Sequence, residues 1–398
     1  MEFSYTDEQR MIRETAEAFF LDVSSPQAVR QAMGQARSYD PELWQRLCNE
    51  LGFQAMIIPE SCGGLGLGFV ELAIVLEQMG RRLTCSPFFA TVGLATNALL
   101  LMASEEQQQR LLPAIAAGEL TATLAWTGEE VGRAGGRWDE SAVSVKVAPC
   151  QGGYTLSGRL RYVIDGDTAD LLVVAARAAG SEGRDGVSVF AIPAETPGIS
   201  RTWTPTLDQT RRLADIQLDK VFVEADQLLG KEGEAWSEFS KALALGKCAL
   251  AAEQLGVARQ ALDLAVDYTL EREQFGRAIA SYQSIKHKAA DMLLKTEVAC
   301  SAVYYAACVA SEVLSKEGDA AIASELHEAA AMAKAQCSDT VFFNAGTALQ
   351  LFGGVGFTSE YDIQLYFKRA KASEHYLGNG AWQREQIASL LIDGGGLS

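Results

Sequence analysis

Arg272-Glu-Gln-Phe-Gly-Arg277, followed after four residues by Tyr282-Gln-Ser-Ile-Lys-His287, is the most informative stretch of the sequence. Apolar residues recur on both sides of it at spacings of three, four and seven, which is the period of one face of a helix. Those before it are Leu255, Leu262, Val266 and Leu270, and those after it are Ile285, Ala289, Met292, Ala299 and Val303. The stretch therefore joins two long helices, and we expect residues 231–398 to form a C-terminal four-helix bundle domain.

The first part of the chain is also predicted to be helical. Thr6 and Gln9 have the spacing of a capping box, and helical patterning continues as far as residues 111–112. The glycines of residues 51–68 fit no G-x-G-x-x-G register and follow no predicted strand, so a tight turn is expected there rather than a dinucleotide loop. Residues 1–121 are expected to form an N-terminal helical domain.

Between the helical parts, residues 122–230 are predicted to form a middle β domain. Short β-rich runs are separated by Gly, Asp and Pro. These runs are Tyr154-Thr-Leu-Ser-Gly158, Leu171-Leu-Val-Val-Ala175, Val187-Ser-Val-Phe-Ala-Ile192 and Asp215-Ile-Gln-Leu218. The order of helices, strands and helices places the chain in the α+β class.

Composition excludes several classes of partner. The formal net charge of −17 gives no basic field for a phosphate backbone, so no nucleic acid is expected. The eight cysteines include no C-x-x-C pair, and the histidines show no metal-binding spacing, so we expect reduced cysteines and no metal. The N-terminus lacks the pattern of a secretory signal, and no run approaches about 18 apolar residues, so a cytoplasmic protein without membrane contact is expected.

A second glycine-rich stretch is Gln350-Leu-Phe-Gly-Gly-Val-Gly-Phe-Thr-Ser-Glu-Tyr361. It matches Q-x-x-G-G-x-G-[FY], a pattern of the acyl-CoA dehydrogenase family. The stretch beginning at Arg272 and the segment of residues 51–68 also resemble that family, in the family's order and spacing. The resemblance covers essentially the whole chain and implies the acyl-CoA dehydrogenase fold, with FAD bound across a subunit interface.

The resemblance also implies which residues bind FAD. Arg272, Gln274 and Phe275 would reach across the dimer to the pyrophosphate and adenosine, since a guanidinium can bind phosphate through two hydrogen bonds. The residues that would pack against the diphosphate are Gln350, Gly353 and Gly354, where a side chain would block the approach. Three further residues are assigned to the cofactor: Thr127 by its match to a flavin-facing threonine, Ile164 in place of the family's flavin-facing hydroxyl, and Asn379.

The family's catalytic glutamate is missing from both positions where it usually occurs. The resemblance places Leu377 at the first position and Gly246 at the second, and neither side chain can accept a proton. Glu253 lies seven residues after Gly246, about two helical turns along roughly the same face, and is the first substitute to consider. Glu374 and Asp165 are more distant alternatives. A lone glutamate on an alanine-rich helix is more often the structural partner of an arginine.

These features leave three hypotheses open. The first is FAD-dependent α,β-dehydrogenation of an acyl-CoA, with electrons passing to an electron-transfer flavoprotein. The segments Leu207-Asp-Gln-Thr-Arg-Arg-Leu213 and Ala251-Ala-Glu-Gln-Leu-Gly256 resemble subunits of heteromeric dehydrogenases for bulky, steroid-like acyl-CoAs. A homo- or hetero-tetramer is implied, in which a partner could supply the glutamate.

The second hypothesis is a non-catalytic subunit that completes the FAD site. The third is altered flavin chemistry: an oxidase, a monooxygenase or a thioester lyase.

Overall fold

The computed structural model describes residues 5–37, 39–128 and 137–392. The helices of this part of the chain are α1 (Asp7–Val23), α2 (Pro26–Met33), α3 (Pro41–Arg46), α4 (Phe69–Arg82), α5 (Asn97–Met102), α6 (Glu105–Ala116), α7 (Trp236–Glu271), α8 (Gln283–Leu314), α9 (Ala320–Ala323), α10 (Leu326–Phe352), α11 (Ile363–His375) and α12 (Gly380–Ile392). The strands are β1 (Ala122–Ala125), β2 (Lys146–Cys150), β3 (Gly153–Ile164), β4 (Leu171–Ala178), β5 (Val187–Pro193), β6 (Ile199–Thr204), β7 (Leu213–Glu224), β8 (Leu228–Leu229), β9 (Glu273–Gln274) and β10 (Arg277–Ala278). The predicted α+β order of helices, strands and helices is confirmed.

By its internal contacts the chain divides into two compact units. One consists of residues 1–34, 69–85 and 247–397, and the other of residues 35–68 and 86–246. This grouping follows contacts rather than sequence order, so the three sequence domains with boundaries after residues 121 and 230 stay predictions.

The second unit contains the main sheet. Its strands run in the order β6-β7-β3-β2-β4-β5-β8, and β1 pairs in parallel with β4. The long strands β3 and β7 pair antiparallel, with irregular register between Leu156 and Gly158 and again between Leu160 and Val163. Alternate residues of these strands, including Leu156, Leu160, Ile216 and Leu218, point into the buried core. The sheet is therefore the rigid support for residues at the ends of β1 and β3.

The first unit is helical. Helix α10 packs against α8, α11 and α12, while α4 packs against α1 and α8. The predicted capping box opens α1: Thr6 Oγ1 accepts a hydrogen bond from the Gln9 N–H at 3.2 Å, and Gln9 Oε1 accepts one from the Thr6 N–H at 3.1 Å. A Cβ on Gly80 would lie 2.1 Å from the Glu253 carbonyl oxygen, and one on Gly256 would lie 1.9 Å from that of Glu77. Glycine at both positions allows α4 and α7 to touch backbone to backbone.

Helix α8 has an apolar surface that is only partly covered. Its buried face includes Met292, Ala299 and Val303, as the spacing predicts. Leu293 and Leu294, on another face, are 51% and 66% exposed. Among the described helices, α8 is the one whose length and composition would allow it to cross a membrane, with 33% of the relevant window buried. That measure is also met by core helices of soluble proteins.

Candidate cofactor and active site

The stretch from Arg272 to Arg277 forms a small hairpin at the end of α7. Strands β9 and β10 pair antiparallel, and Phe275 and Gly276 make the turn with φ of 57° and 77°. The Tyr282 hydroxyl donates to the Gln274 carbonyl at 3.1 Å, and the Arg277 guanidinium lies 4.0 Å over the Tyr282 ring. These contacts hold the turn in a conformation that side-chain-bearing residues rarely adopt.

The residues assigned to FAD on this hairpin are displayed outward. Arg272 and Gln274 are exposed, and Phe275 is 93% exposed. The Arg272 guanidinium makes no hydrogen bond or ion pair with the residues that the structure describes. An unpaired guanidinium beside a bare aromatic ring can take a phosphate and a flat ring system from a bound molecule.

The glycine-rich turn after α10 leaves room against its backbone. Gly353 has φ of 64° and ψ of −143°, a conformation open essentially only to glycine. A Cβ added at Gly353 or Gly354 would meet nothing within 4 Å, so the space over this backbone is open in the single chain. Gln350, one turn earlier, is exposed. The turn can therefore receive a group that approaches the main chain closely.

Aromatic stacking connects the hairpin to the glycine-rich turn. The rings of Tyr268 and Phe352 stack with centroids 4.1 Å apart, and Tyr361 packs edge-on against both. The Tyr268 hydroxyl also donates to the Phe352 carbonyl at 3.4 Å. Because Tyr268 lies one helical turn before Arg272 and Phe352 directly precedes Gly353, two motifs some 80 residues apart in sequence are brought together.

Thr127 and Ile164 lie in the sheet unit, where both are buried. The Thr127 hydroxyl donates to the Arg161 carbonyl at 2.5 Å, and the Arg161 N–H donates to the Thr127 carbonyl at 2.8 Å. Since its proton is already used, the Thr127 hydroxyl can offer only its lone pairs to a cofactor. The neighbouring Trp126 is 2% exposed, and its indole N–H has no acceptor among the described residues. The segment beginning at Glu129 lies outside the described residues.

The turn between α11 and α12 contains the position of the missing glutamate. Leu377 is 1% exposed and has φ of 58°. The Gln383 side-chain amide donates to the Leu377 carbonyl at 2.6 Å, and Asn379 Oδ1 accepts from the Trp382 N–H at 2.9 Å to begin α12. Asn379 therefore has a structural part in the turn in addition to its proposed contact with the cofactor. Gly246, the other position, lies on α7 and is buried.

Two of the three carboxylates suggested as substitutes, those of Glu253 and Glu374, are paired with a cation. The Glu253 carboxylate is 2.5 Å from the Arg369 guanidinium, and both side chains are almost fully buried. The Glu374 carboxylate accepts from the Lys371 ammonium at 2.9 Å. Asp165 is buried at the end of β3 with φ of 52°, and its N–H donates to the Arg212 carbonyl. Glu253 thus has the arginine partner expected of a structural glutamate.

A buried lysine beside this turn was missed by the sequence reasoning. Lys334 on α10 is 0% exposed, and its ammonium donates to Ser338 Oγ at 2.6 Å and to the carbonyls of Glu374 and Ser373 at 3.1 and 3.3 Å. It therefore holds the carboxyl end of α11, where the helix dipole favours a cation. The available signal was its register, because it shares a helical face with a series of buried residues: Ala330, Cys337, Val341, Ala345 and Ala348.

Burial lowers the pKa of two lysines in the helical unit. The pKa of Lys334 falls to about 7, chiefly by desolvation, and the nearby charge of Lys247 lowers it further. The pKa of Lys247 falls to about 8, again by desolvation. Among the described residues, no group of three or more His, Cys, Asp or Glu side chains could hold a metal ion.

The architecture and these sites define a flavin-dependent dehydrogenase. The family model described as "Acyl-CoA dehydrogenase, N-terminal domain" matches residues 6–119, and that described as "Acyl-CoA dehydrogenase, C-terminal domain" matches residues 233–392. The acyl-CoA dehydrogenase IpdE2 of Mycolicibacterium smegmatis is 32% identical over 97% of this chain and 98% of its own length. The chain belongs to the acyl-CoA dehydrogenase family. It is an oxidoreductase that acts on CH–CH bonds, and its cofactor is FAD.

Two solved structures show how closely the fold is kept. Butyryl-CoA dehydrogenase from Megasphaera elsdenii is 27% identical, with a TM-score of 0.88 over 98% of this chain and 100% of that chain. A variant of the Tcur3481–Tcur3483 steroid ACAD is also 27% identical, with a TM-score of 0.82 over 98% of both chains. The two sequence identities are equal, so identity alone does not distinguish the two kinds of relative.

The residues present fit FAD. The open backbone at Gly353 and Gly354 is a surface that any Cβ would begin to fill, and the unpaired Arg272 guanidinium lies on the hairpin held beside it. The buried Trp126 indole N–H is an orphaned donor next to Thr127. An anionic diphosphate and a polar ring system supply the acceptors that these groups lack.

Proposed function

We propose that this chain is one subunit of a heteromeric acyl-CoA dehydrogenase that introduces an α,β double bond into a bulky, steroid-like acyl-CoA. The observation that carries the proposal is Leu377: a buried aliphatic side chain occupies the position of the usual base, and Gly246 offers no side chain at the other position. At neutral pH, fast turnover then needs a second kind of chain that brings a glutamate.

The chemistry sets what the protein must do. FAD, when bound, supplies N5 as the acceptor of the β hydride. The protein must hold the thioester, remove the α proton and exclude water. On this proposal Arg272, Gln274 and Phe275 hold the pyrophosphate and adenosine, and the residues at the diphosphate are Gln350, Gly353 and Gly354. The other residues assigned to the cofactor are Thr127, which can only accept a hydrogen bond, Ile164, which offers none, and Asn379.

Two considerations support a mixed assembly. The name Tcur3481–Tcur3483 joins two proteins, and that relative is described as a steroid ACAD. Its sequence identity to this chain equals that of the butyryl-CoA enzyme, so the decision rests on the site, where Leu377 and Gly246 provide no carboxylate. The exposed Phe275 on its strained turn is suited to contact with a neighbouring subunit, as a dimer of dimers would provide. The reduced FAD would pass its electrons to an electron-transfer flavoprotein.

The experiment compares the chain alone with the chain co-purified with a relative that has glutamate at the position of Leu377. Each preparation is mixed anaerobically at pH 7 with linear and steroid-like acyl-CoAs, and bleaching of the flavin absorbance is followed. We expect the mixed preparation to react at least about tenfold faster, in keeping with the size of general-base effects. Equal rates would contradict the need for a partner.

The same experiment separates the other hypotheses. If neither preparation bleaches with any acyl-CoA, the chain is a non-catalytic subunit. When oxygen is admitted after the anaerobic reaction, rapid reoxidation of the flavin with release of peroxide or a hydroxylated product would indicate altered flavin chemistry. A preference for linear over steroid-like acyl-CoAs in the mixed preparation would contradict the proposed substrate class while leaving the assembly intact.

A further inference from the structure

Lys247 occupies an unusual place on α7. From Ala242 to Ala258 every residue of this helix is buried except Lys247, which keeps part of its surface accessible. It directly follows Gly246, one of the two positions where the family's glutamate is missing. A residue that keeps accessible surface on an otherwise buried helical stretch is one that a bound molecule can reach.

The Lys247 amine has no partner in the described part of the chain. It makes no hydrogen bond and no ion pair there, whereas Lys334 uses its three donor hydrogens on three oxygen acceptors. The titratable groups around the two lysines are Cys248 on α7, Cys337 and Asp339 on α10, and Glu374 on α11. Asp339 is paired with Arg384 and Glu374 with Lys371. The charge of Lys247 thus acts on Lys334, while the neighbouring carboxylates of Asp339 and Glu374 are each paired with another cation.

This environment favours the neutral form of Lys247. Desolvation lowers its pKa to about 8, against a smaller opposing effect of the neighbouring Cys248. Desolvated lysines next to another cation are known to act as neutral amines in catalysis. The alternative role for a cationic side chain at this position is to bind an anion. An arginine would do that better, because it stays charged and binds through two hydrogen bonds. Lysine differs from arginine in being able to release its proton here.

We propose that Lys247 is the proton acceptor of this chain's own site, in place of the absent glutamate. The inference rests on the dehydrogenation proposed above but not on the partner. The amine lone pair takes the proton as the Cα–H bond breaks. The electron pair left on Cα would form the double bond, and FAD, when bound, would accept the hydride from Cβ. In a mixed assembly, this chain's site would use an amine and the partner's site a carboxylate.

The test isolates the proton step from the redox reaction. The full chain with FAD is incubated in D2O with acyl-CoA analogues in which sulfur replaces Cβ, one with a linear tail and one with a bicyclic tail. Sulfur carries no hydride, so any replacement of α hydrogen by deuterium, measured by mass spectrometry, reports proton abstraction alone. We expect exchange to be about tenfold faster at pH 9 than at pH 7, since the neutral fraction of a group with a pKa of about 8 changes by that factor.

Three variants complete the test. Lys247→Met and Lys247→Arg should each lose exchange by at least about 100-fold while keeping FAD absorbance, because neither side chain can accept a proton. Lys241→Met is the control, since Lys241 lies on the same helix but pairs with Glu238 at 2.8 Å.

The outcomes distinguish this inference from the proposed assembly. Exchange by the chain alone that is lost in both Lys247 variants supports Lys247, whatever the partner does. No exchange by the chain alone at pH 9, with exchange appearing when the glutamate-bearing relative is added, overturns the inference and supports the assembly. Exchange that survives Lys247→Arg also overturns it.

Discussion

The carboxylate of Glu253 on α7 lies 2.5 Å from the guanidinium of Arg369 on α11, 116 residues later, and both side chains are almost fully buried. An ion pair removed from water in this way ties the two helices together at a fixed distance. The same pairing explains why a glutamate occurs on an alanine-rich helical face. The Glu253 carboxylate therefore has a structural role.

The first prediction is that Glu253→Gln destabilises the protein rather than removing its chemistry. The substitution leaves the Arg369 charge buried without a counter-ion, which costs about 3 kcal/mol in free energy of unfolding. Urea denaturation followed by circular dichroism measures this. The control is the double variant Glu253→Met with Arg369→Met, which buries no charge and should lose less than the single variant. A Glu253→Gln protein of normal stability that no longer exchanges α protons would instead identify Glu253 as the base.

The second prediction concerns the glycine-rich turn. Gly354→Ala should leave the free energy of unfolding of the FAD-free protein within about 0.5 kcal/mol, because its Cβ meets nothing within 4 Å. It should weaken FAD binding about tenfold, since a methyl group would then stand between the backbone and the diphosphate. Fluorescence titration with FAD measures the dissociation constant.

Gly353→Ala separates backbone strain from the loss of access to the cofactor. With φ of 64°, alanine there adds about 1–3 kcal/mol of strain as well as the methyl group. Gly180→Ala is the matched control: its φ is 81°, its Cβ also meets nothing, and it lies in the turn after β4. Gly180→Ala should lower stability without changing FAD affinity. FAD binding unaffected by Gly353→Ala and Gly354→Ala would place the diphosphate elsewhere.

Much of the fold could be predicted from the sequence because it depends on local patterns. The capping box of Thr6 and Gln9 is present, and Leu255 and Leu262 are buried as their spacing predicts. Leu270, in the same series, is 60% exposed. Periodicity identifies an apolar face, but whether that face is covered depends on residues far away in sequence.

The site was less predictable, because its side chains are defined by distant partners. Nothing near Glu253 in sequence indicates that Arg369 will neutralise it. Lysine is almost never fully buried, so Lys334 is read as a surface charge until the carbonyls at the end of α11 are in place around it. The glycine and arginine motifs were found because they depend on backbone geometry and on neighbouring residues.

The third prediction concerns Phe275. Its side chain is 93% exposed, so Phe275→Ala should change the free energy of unfolding by no more than about 0.5 kcal/mol. The ring is expected to contact bound FAD, and its loss should weaken FAD binding about tenfold. Leu270→Ala, which removes another exposed apolar side chain from the end of α7, is the control and should bind FAD normally. Equal effects of the two variants would mean that Phe275 serves only subunit contacts.

The fourth prediction is a pH dependence of stability caused by Lys334. Its folded pKa of about 7 lies well below the value of about 10.4 in an unfolded chain. Between these values the unfolded state binds more protons, so this group's contribution to stability rises with pH from about 7 to about 10, and is least favourable below pH 7. For one proton the slope is at most about 1.4 kcal/mol per pH unit.

The slope of the free energy of unfolding against pH is measured as a difference between the wild type and a variant, because other groups also titrate. Burial raises the pKa of Cys48, Cys248 and Cys337, and these thiols make stability fall with pH above about pH 8.5. We therefore compare urea unfolding of the wild type and of Lys334→Met at pH 6, 7, 8 and 9, where the thiol contributions cancel. The wild type should gain stability relative to the variant as the pH rises. Lys241→Met, at a more exposed lysine, should show no such trend. A flat difference for Lys334→Met would mean that Lys334 stays protonated throughout, held by its three oxygen acceptors.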